Sequence, residues 1–150
     1  QVNLAISLHA SNNQDRSLLM KINNKYNIEE IINAAKHYVE KTNRRITFEY
    51  ILLEGVNDSI KKADELSDLL RGLNCYVNLI RYNKVPEFQY NGSSEKKAIM
   101  FKNQLLKRGI NVTLRKEKGS DIDAACGQLR AKTFEEASKY NEINHNKRST

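Results

Sequence analysis

Four stretches with the two-residue period of a β-strand alternate along this chain with three that carry a helical apolar stripe. That order restricts the fold more than any other feature. Val2, Leu4, Ile6 and Leu8 alternate with Asn3, Ala5 and Ser7. Further strands are predicted over 46–53, 76–82 and 110–115. Between them, Ile28, Ile31, Ile32, Ala35 and Val39 share one helical face, as do Ile60, Ala63, Leu66, Leu69 and Leu70. Ala98, Phe101 and Leu105 form the third stripe, with Ile99 and Leu106 as further candidates for it. Asn27, with Glu30 three residues on, fits a capping box. Asp58 or Ser59 caps the second helix and Ser93 or Ser94 the third, while Gly72 and Gly109 stand where helices stop. Strands that alternate with helices pair in parallel through right-handed crossovers. The expected class is therefore α/β with a parallel sheet. Four strands cannot close an eight-stranded barrel, which leaves an open sheet or one arc of a barrel.

A chain of 150 residues suffices for one domain. Its two cysteines, Cys75 and Cys126, exclude a disulfide scaffold and a self-contained C-x-x-C zinc site, and a reducing, cytoplasmic setting is expected. No apolar run reaches the roughly 18 residues of a membrane helix, and no signal peptide opens the chain. The first residue is Gln1 rather than Met, and a strand pattern already begins at Val2, so the expectation is a piece of a longer protein. Residues 133–150 lack a sustained apolar face and are expected to form a polar, loosely ordered tail behind a folded part spanning 1–132. The net charge of +7 is concentrated over 95–118, where eight bases face only Glu95 and Glu117. Such a block suits a phosphate-contacting face, although a solvated Lys-rich helix is the plainer reading.

Parallel sheets bind ligands at the carboxyl ends of their strands. The sequence gathers polar groups there: Ser7 and His9 after the first strand, Glu54, Asn57 and Asp58 after the second, Arg81 and Asn83 at the third, and the run 119–128, with Cys126, after the fourth. Each has a plainer alternative. A histidine after a strand often bonds to backbone, an Asn before Lys84-Val85-Pro86 suits a turn, and a cysteine among Ala and Gly suits a small buried hydrophobe. Cys75, at the opposite pole, is expected in the core. Walker A, GxGxxG, HExxH and GxSxG motifs are all missing. Pattern alone thus stops at an α/β domain with a polar rim.

Several segments taken together carry a more specific signal. LAISLHA at 4–10, RSLLMKINNKY at 16–26, RRITFEYILLEGVNDS at 44–59, YVNLIRYN at 76–83, GINVTLR at 109–115 and GSDIDAACGQL at 119–129 resemble, in this order, the radical-SAM methyltransferases that modify an adenine of large-subunit ribosomal RNA. The resemblance covers about 1–132 and is to the C-terminal portion of such an enzyme. It implies a partly open barrel of parallel strands that holds a four-iron four-sulfur cluster and S-adenosylmethionine. It implies that Ser7, Leu8 and His9 line the S-adenosylmethionine site, that Asn83 contacts the same cofactor, and that Cys126 carries the methyl group. A thiolate accepts a methyl by ordinary polar chemistry, whereas an aromatic carbon of adenine does not. The resemblance also implies a CxxxCxxC run for the cluster and a resolving cysteine; this chain has neither, and both are expected upstream of Gln1. Ribosomal RNA, transfer RNA and an electron donor are the implied partners, and no membrane.

Two branches share that architecture. ITFEY at 46–50 resembles the branch that methylates adenine C2, and Arg81 resembles the C8 branch associated with antibiotic resistance. The C2 branch is the preferred expectation. A non-catalytic RNA-binding domain of the same fold remains as the other class, and the basic block at 95–118 suits it.

Overall fold

The computed structural model of the chain describes residues 3–82 and 89–117. Chain order is β1 (Ala5–Ser7), α1 (Asn13–Leu19), a 3-10 turn (Lys21–Asn24), α2 (Ile28–Thr42), β2 (Ile46–Ile51), α3 (Ile60–Leu70), β3 (Cys75–Tyr82), α4 (Glu95–Lys107) and β4 (Val112–Glu117). The sheet order is β1-β2-β3-β4, and every pairing is parallel.

The three foreseen helices start where side-chain oxygens can accept orphan amides. Asn27 Oδ1 accepts from the Glu30 amide at 2.9 Å, and the Ser59 and Ser94 hydroxyls accept from Lys62 and Lys97 amides at 3.2 Å each. Asp58 and Ser93, the alternative caps, are instead hydrogen-bonded to each other at 2.6 Å. Gly72 and Gly109 adopt positive φ just beyond α3 and α4, a region closed to most side chains.

Period-two burial sorts the strand residues onto two faces. Ile46, Phe48 and Tyr50 of β2, Cys75, Val77 and Leu79 of β3, and Val112 of β4 form one core with Ile28, Ile32 and Ala35 of α2, Ala63, Leu66 and Leu70 of α3, and Ala98, Phe101 and Leu105 of α4. All three crossover helices therefore cover the same face. A doubly wound sheet would reverse its strand order and carry helices on both faces. Sequential order with one-sided helices is the geometry of a barrel arc, which decides between the two architectures left open above.

The sequence reading misses α1 and the 3-10 turn. Asn12 caps α1 through the Asp15 amide at 2.8 Å, but this short helix buries only Arg16 and Leu19 and shows no repeating stripe. Strand bounds also shift: β1 is confined to Ala5–Ser7, and β4 runs to Glu117. A smaller cluster of Leu19, Ile51, Leu53 and Ile80 lies on the opposite face, near the carboxyl ends, with Met20, Val56 and Tyr90 against it.

Candidate functional site

The face turned away from α2–α4 carries a polar row. Ser7 pairs with Glu49, Glu49 with Asn78 and Asn78 with Thr113, so one side chain from each strand stands at the same level. Their neighbours in sequence, Ile6, Phe48, Val77 and Leu114, pack into the core, which sends these four to the open face. Ser7, Glu49 and Asn78 are half-buried and Thr113 is exposed. The next inward-facing level is Ile51, Ile80 and Arg115, with Leu19 of α1 packed near Ile51 and Ile80. The result is a polar floor bounded at the carboxyl ends by a rim that is apolar on β2 and β3 and carries Arg115 on β4.

At that rim β1 ends in a tightly held turn. His9 has φ of 58°, a left-handed conformation that costs a side-chain-bearing residue on the order of 1 kcal/mol. The Leu8 and His9 amides both donate to the Glu49 carbonyl, at 2.9 and 3.3 Å. His9 Nδ1 accepts from the Ile51 amide at 3.0 Å, and the His9 carbonyl accepts from Asn57 Nδ2 at 2.8 Å. Asn57 Nδ2 also donates to the Ile51 carbonyl, and its Oδ1 accepts from the Leu53 amide, each at 2.8 Å. The Tyr50 hydroxyl donates to the Asn57 carbonyl at 2.7 Å. Arg16 reaches in from α1: Nε donates to the Leu8 carbonyl at 3.1 Å and Nη2 to the Ser7 carbonyl at 3.2 Å.

Burial governs the protonation of this corner. His9 is 1% exposed, and burial, helped by the nearby Arg16 charge, lowers its pKa to about 3. It is a neutral imidazole with an unprotonated Nδ1 and does not exchange protons near neutral pH. Burial also pushes the Tyr50 hydroxyl far above its ordinary range.

The structure thus brings Ser7, Leu8 and His9 to the carboxyl end of the sheet, in three different settings. Ser7 points to the open face. Leu8 is fully buried in the main core, and His9 lies under the rim, joined to β2. Asn83 and Cys126, the other two candidates, lie outside the described residues, as do 118–150, and with them the tail. Arg16 is the residue that sequence reasoning passes over as a site component: it opens the RSLLMKINNKY segment of the resemblance, but no periodicity and no chemistry singles it out there. Asn57 is visible in the sequence only as a polar turn residue.

Three further expectations resolve in the structure. Cys75 sits in the core, 4% exposed, with its thiol pushed up to about 11 by burial, and is unreactive. The basic block does not form one surface. Lys96, Lys97 and Lys107 are exposed on α4, and Arg108 pairs with Asp64 and Asp68. Arg115 shares a face with the polar row, opposite Leu114. Arg81 is on the helix-covered face, in phase with Val77 and Leu79, and its Nε donates to the Ser93 carbonyl at 2.9 Å.

The donor set can be tested against the cofactors. A hydroxyl, a carboxylate and an amide in one row, at Ser7, Glu49 and Asn78, suit a polar nucleoside that carries an ammonium group, and S-adenosylmethionine fits that description. An iron–sulfur cluster does not fit: three thiolates are needed, and the chain has two cysteines in all, of which Cys75 is buried. Among the described residues no group of three His, Cys, Asp or Glu side chains is placed to hold a metal ion. Among them, too, no helix is long and apolar enough to cross a membrane.

Comparison with known proteins gives a concordant picture. No protein-family model matches the chain. Over 132 residues, or 88% of its length, it is 55% identical to the "Probable dual-specificity RNA methyltransferase RlmN" of Staphylococcus aureus strain JH9, and to that of strain Newman. The match spans 36% of those relatives, so the chain corresponds to about a third of their length. A crystal structure of a radical SAM methyltransferase from Sphaerobacter thermophilus superposes with a TM-score of 0.78 at 51% identity, covering 87% of this chain and 38% of that one. A domain of pyruvate-formate lyase-activating enzyme from Bacteroides vulgatus shares the fold at a TM-score of 0.59 and 19% identity, over 74% of this chain and 65% of that one. Along most of its length, this chain is therefore alike in sequence and in fold to a segment of the radical-SAM RNA methyltransferases.

Proposed function

We propose that the chain is part of a radical-SAM RNA methyltransferase that methylates C2 of an adenine in 23S ribosomal RNA, and acts also on transfer RNA, through a methylated cysteine. The observation that carries this reading is the 55% identity over 88% of the chain, together with a polar strand row of the kind S-adenosylmethionine needs. Ser7 and Asn83 hold that cofactor, Leu8 and His9 line its site from beneath by fixing the strand end, and Cys126 accepts the methyl. When bound, S-adenosylmethionine supplies an electrophilic methyl group. Cys126 must first lose its proton, since the thiolate is the nucleophile, and it then holds the methyl as a thioether beside the adenine. Ser7 and the polar row bind and orient; His9, neutral and joined to Ile51, shapes the strand exit rather than moving a proton. The cluster and its reductant belong with residues that this chain does not contain, and action on ribosomal RNA puts the protein in the cytoplasm.

The C2 branch is preferred on the ITFEY segment at 46–50; Arg81, the residue that resembles the C8 branch, has its guanidinium on the helix-covered face, bonded to the Ser93 carbonyl. The test is Cys126→Ala in the full-length protein. Methyl transfer to RNA should be lost, with RNA affinity changed less than about twofold. Full residual activity would refute the carrier role, and unchanged RNA binding with no activity in the wild type either would favour a non-catalytic RNA-binding domain. Mapping the alkylated adenine carbon decides between C2 and C8.

A further inference from the structure

We propose that Arg16 is a positioning residue: from α1 it fixes the carbonyls at the end of β1 and so holds residues 7–9 in the shape that receives S-adenosylmethionine. This inference rests on the cofactor reading of the preceding subsection and assigns a role to a side chain that does not touch the ligand.

Where a strand ends, its last carbonyls lose their ladder partners and must be satisfied some other way. Here β1 ends at Ser7, and both the Ser7 and Leu8 carbonyls accept from one guanidinium, at 3.2 and 3.1 Å. The same guanidinium donates through Nη1 to Asn23 Oδ1 at 3.1 Å and to the Tyr26 carbonyl at 3.3 Å. One planar group thereby joins the end of β1 to the 3-10 turn and to the segment entering α2. Asn23 is itself fixed, its Nδ2 donating to the Ser17 hydroxyl at 2.8 Å and the Asn13 carbonyl at 3.3 Å.

Such a clamp is costly to build. Arg16 is 2% exposed, and the four acceptors are neutral, so its charge is desolvated without a carboxylate among them. Core filling alone would be met more cheaply by an aliphatic side chain of similar size. What the guanidinium supplies, and an aliphatic chain does not, is a rigid fork that fixes the directions of two consecutive carbonyls. Those directions set the left-handed turn at His9, φ 58°, whose far side is held by Asn57 Nδ2 on the His9 carbonyl. Ser7, which strand alternation directs to the open face, is thereby held at its level in the row.

The test is Arg16→Lys in the full-length protein. Lysine keeps the charge but has a single ammonium that cannot span the same four acceptors. The dissociation constant for S-adenosylmethionine, measured by equilibrium dialysis well below the melting midpoint, should rise about tenfold, as for other residues that orient a ligand-contacting group. RNA affinity should stay at the wild-type value. Asn23→Ala removes one acceptor at a greater distance and should give a smaller rise, which keeps the test open if Arg16→Lys does not fold. A lower melting temperature with unchanged S-adenosylmethionine affinity in either folded variant would overturn the inference and leave Arg16 a packing residue. A wild-type protein that does not bind S-adenosylmethionine would overturn the cofactor reading itself, and the inference with it.

Discussion

His9 shows how burial converts a reactive residue type into a structural one. Its pKa falls from an ordinary 6.5 to about 3 in the folded chain, so unfolding takes up a proton at any pH between those values. Stability contributed by the neutral imidazole is complete above pH 6.5 and is lost as pH falls toward 3. Between pH 6.5 and about 4.5, before most carboxylates titrate, unfolding free energy should fall with a slope approaching 1.4 kcal/mol per pH unit. Urea titrations across that range check it, with His9→Asn as the control that should flatten the slope. A flat wild-type profile would mean that His9 is protonated in place. At this scale the sequence was legible where a residue acts on its own neighbours. Asn27, Ser59 and Ser94 are caps because a short polar side chain bonds an amide three residues on, and that spacing is written in the chain. Arg16 was not legible, because its acceptors, Ser7, Leu8, Asn23 and Tyr26, come together only in the folded structure.

Elements differ in how much of the fold rests on them. Asn27 caps an exposed helix start, and Asn27→Ala should cost about 1 kcal/mol. Phe101 is fully buried in α4, with its ring centroid 5.3 Å from that of Tyr50, whose hydroxyl in turn bonds the Asn57 carbonyl. Phe101→Ala should cost about 3–5 kcal/mol, and denaturant melts of both variants give the comparison. A Phe101 variant as mild as the Asn27 one would show that α4 is not part of the same core. The long helices were readable because each repeats its apolar residues over several turns, as α2 does through Ile28, Ile32 and Ala35. Seven-residue α1 buries Arg16 and Leu19 alone, and two positions make no period. Strand ends differ from the apolar pattern for a related reason. Apolar alternation continues through Leu8 and Leu53, but the ladder stops where His9 turns and where Asn57 takes over the Ile51 carbonyl.

For the whole molecule, charge placement makes a separate claim. Lys96 and Lys107 are exposed on the outer face of α4, whereas Arg108 is held by Asp64 and Asp68. If RNA contacts this outer face, Lys96→Ala with Lys107→Ala should weaken binding and reduce its log-log salt slope by about two, while Arg108→Ala changes it little. An unchanged slope in the double variant would mark α4 as a solvated face and direct attention to Arg115 beside the polar row. The alternation of strands and helices called for a parallel sheet and left an open sheet or a barrel arc, and the sequential strand order with one-sided crossover helices then excluded a doubly wound sheet. The reaction did not follow from periodicity, because the segments that resemble the methyltransferases are informative by identity and not by pattern.

The measurement that tests the account most directly is peptide mass spectrometry of the full-length protein after incubation with isotope-labelled methyl-S-adenosylmethionine. A single labelled methyl on the peptide that contains Cys126, and none on Cys75, is the predicted result. Label on another residue, or a fully unmodified Cys126 in protein that still methylates RNA, would contradict it.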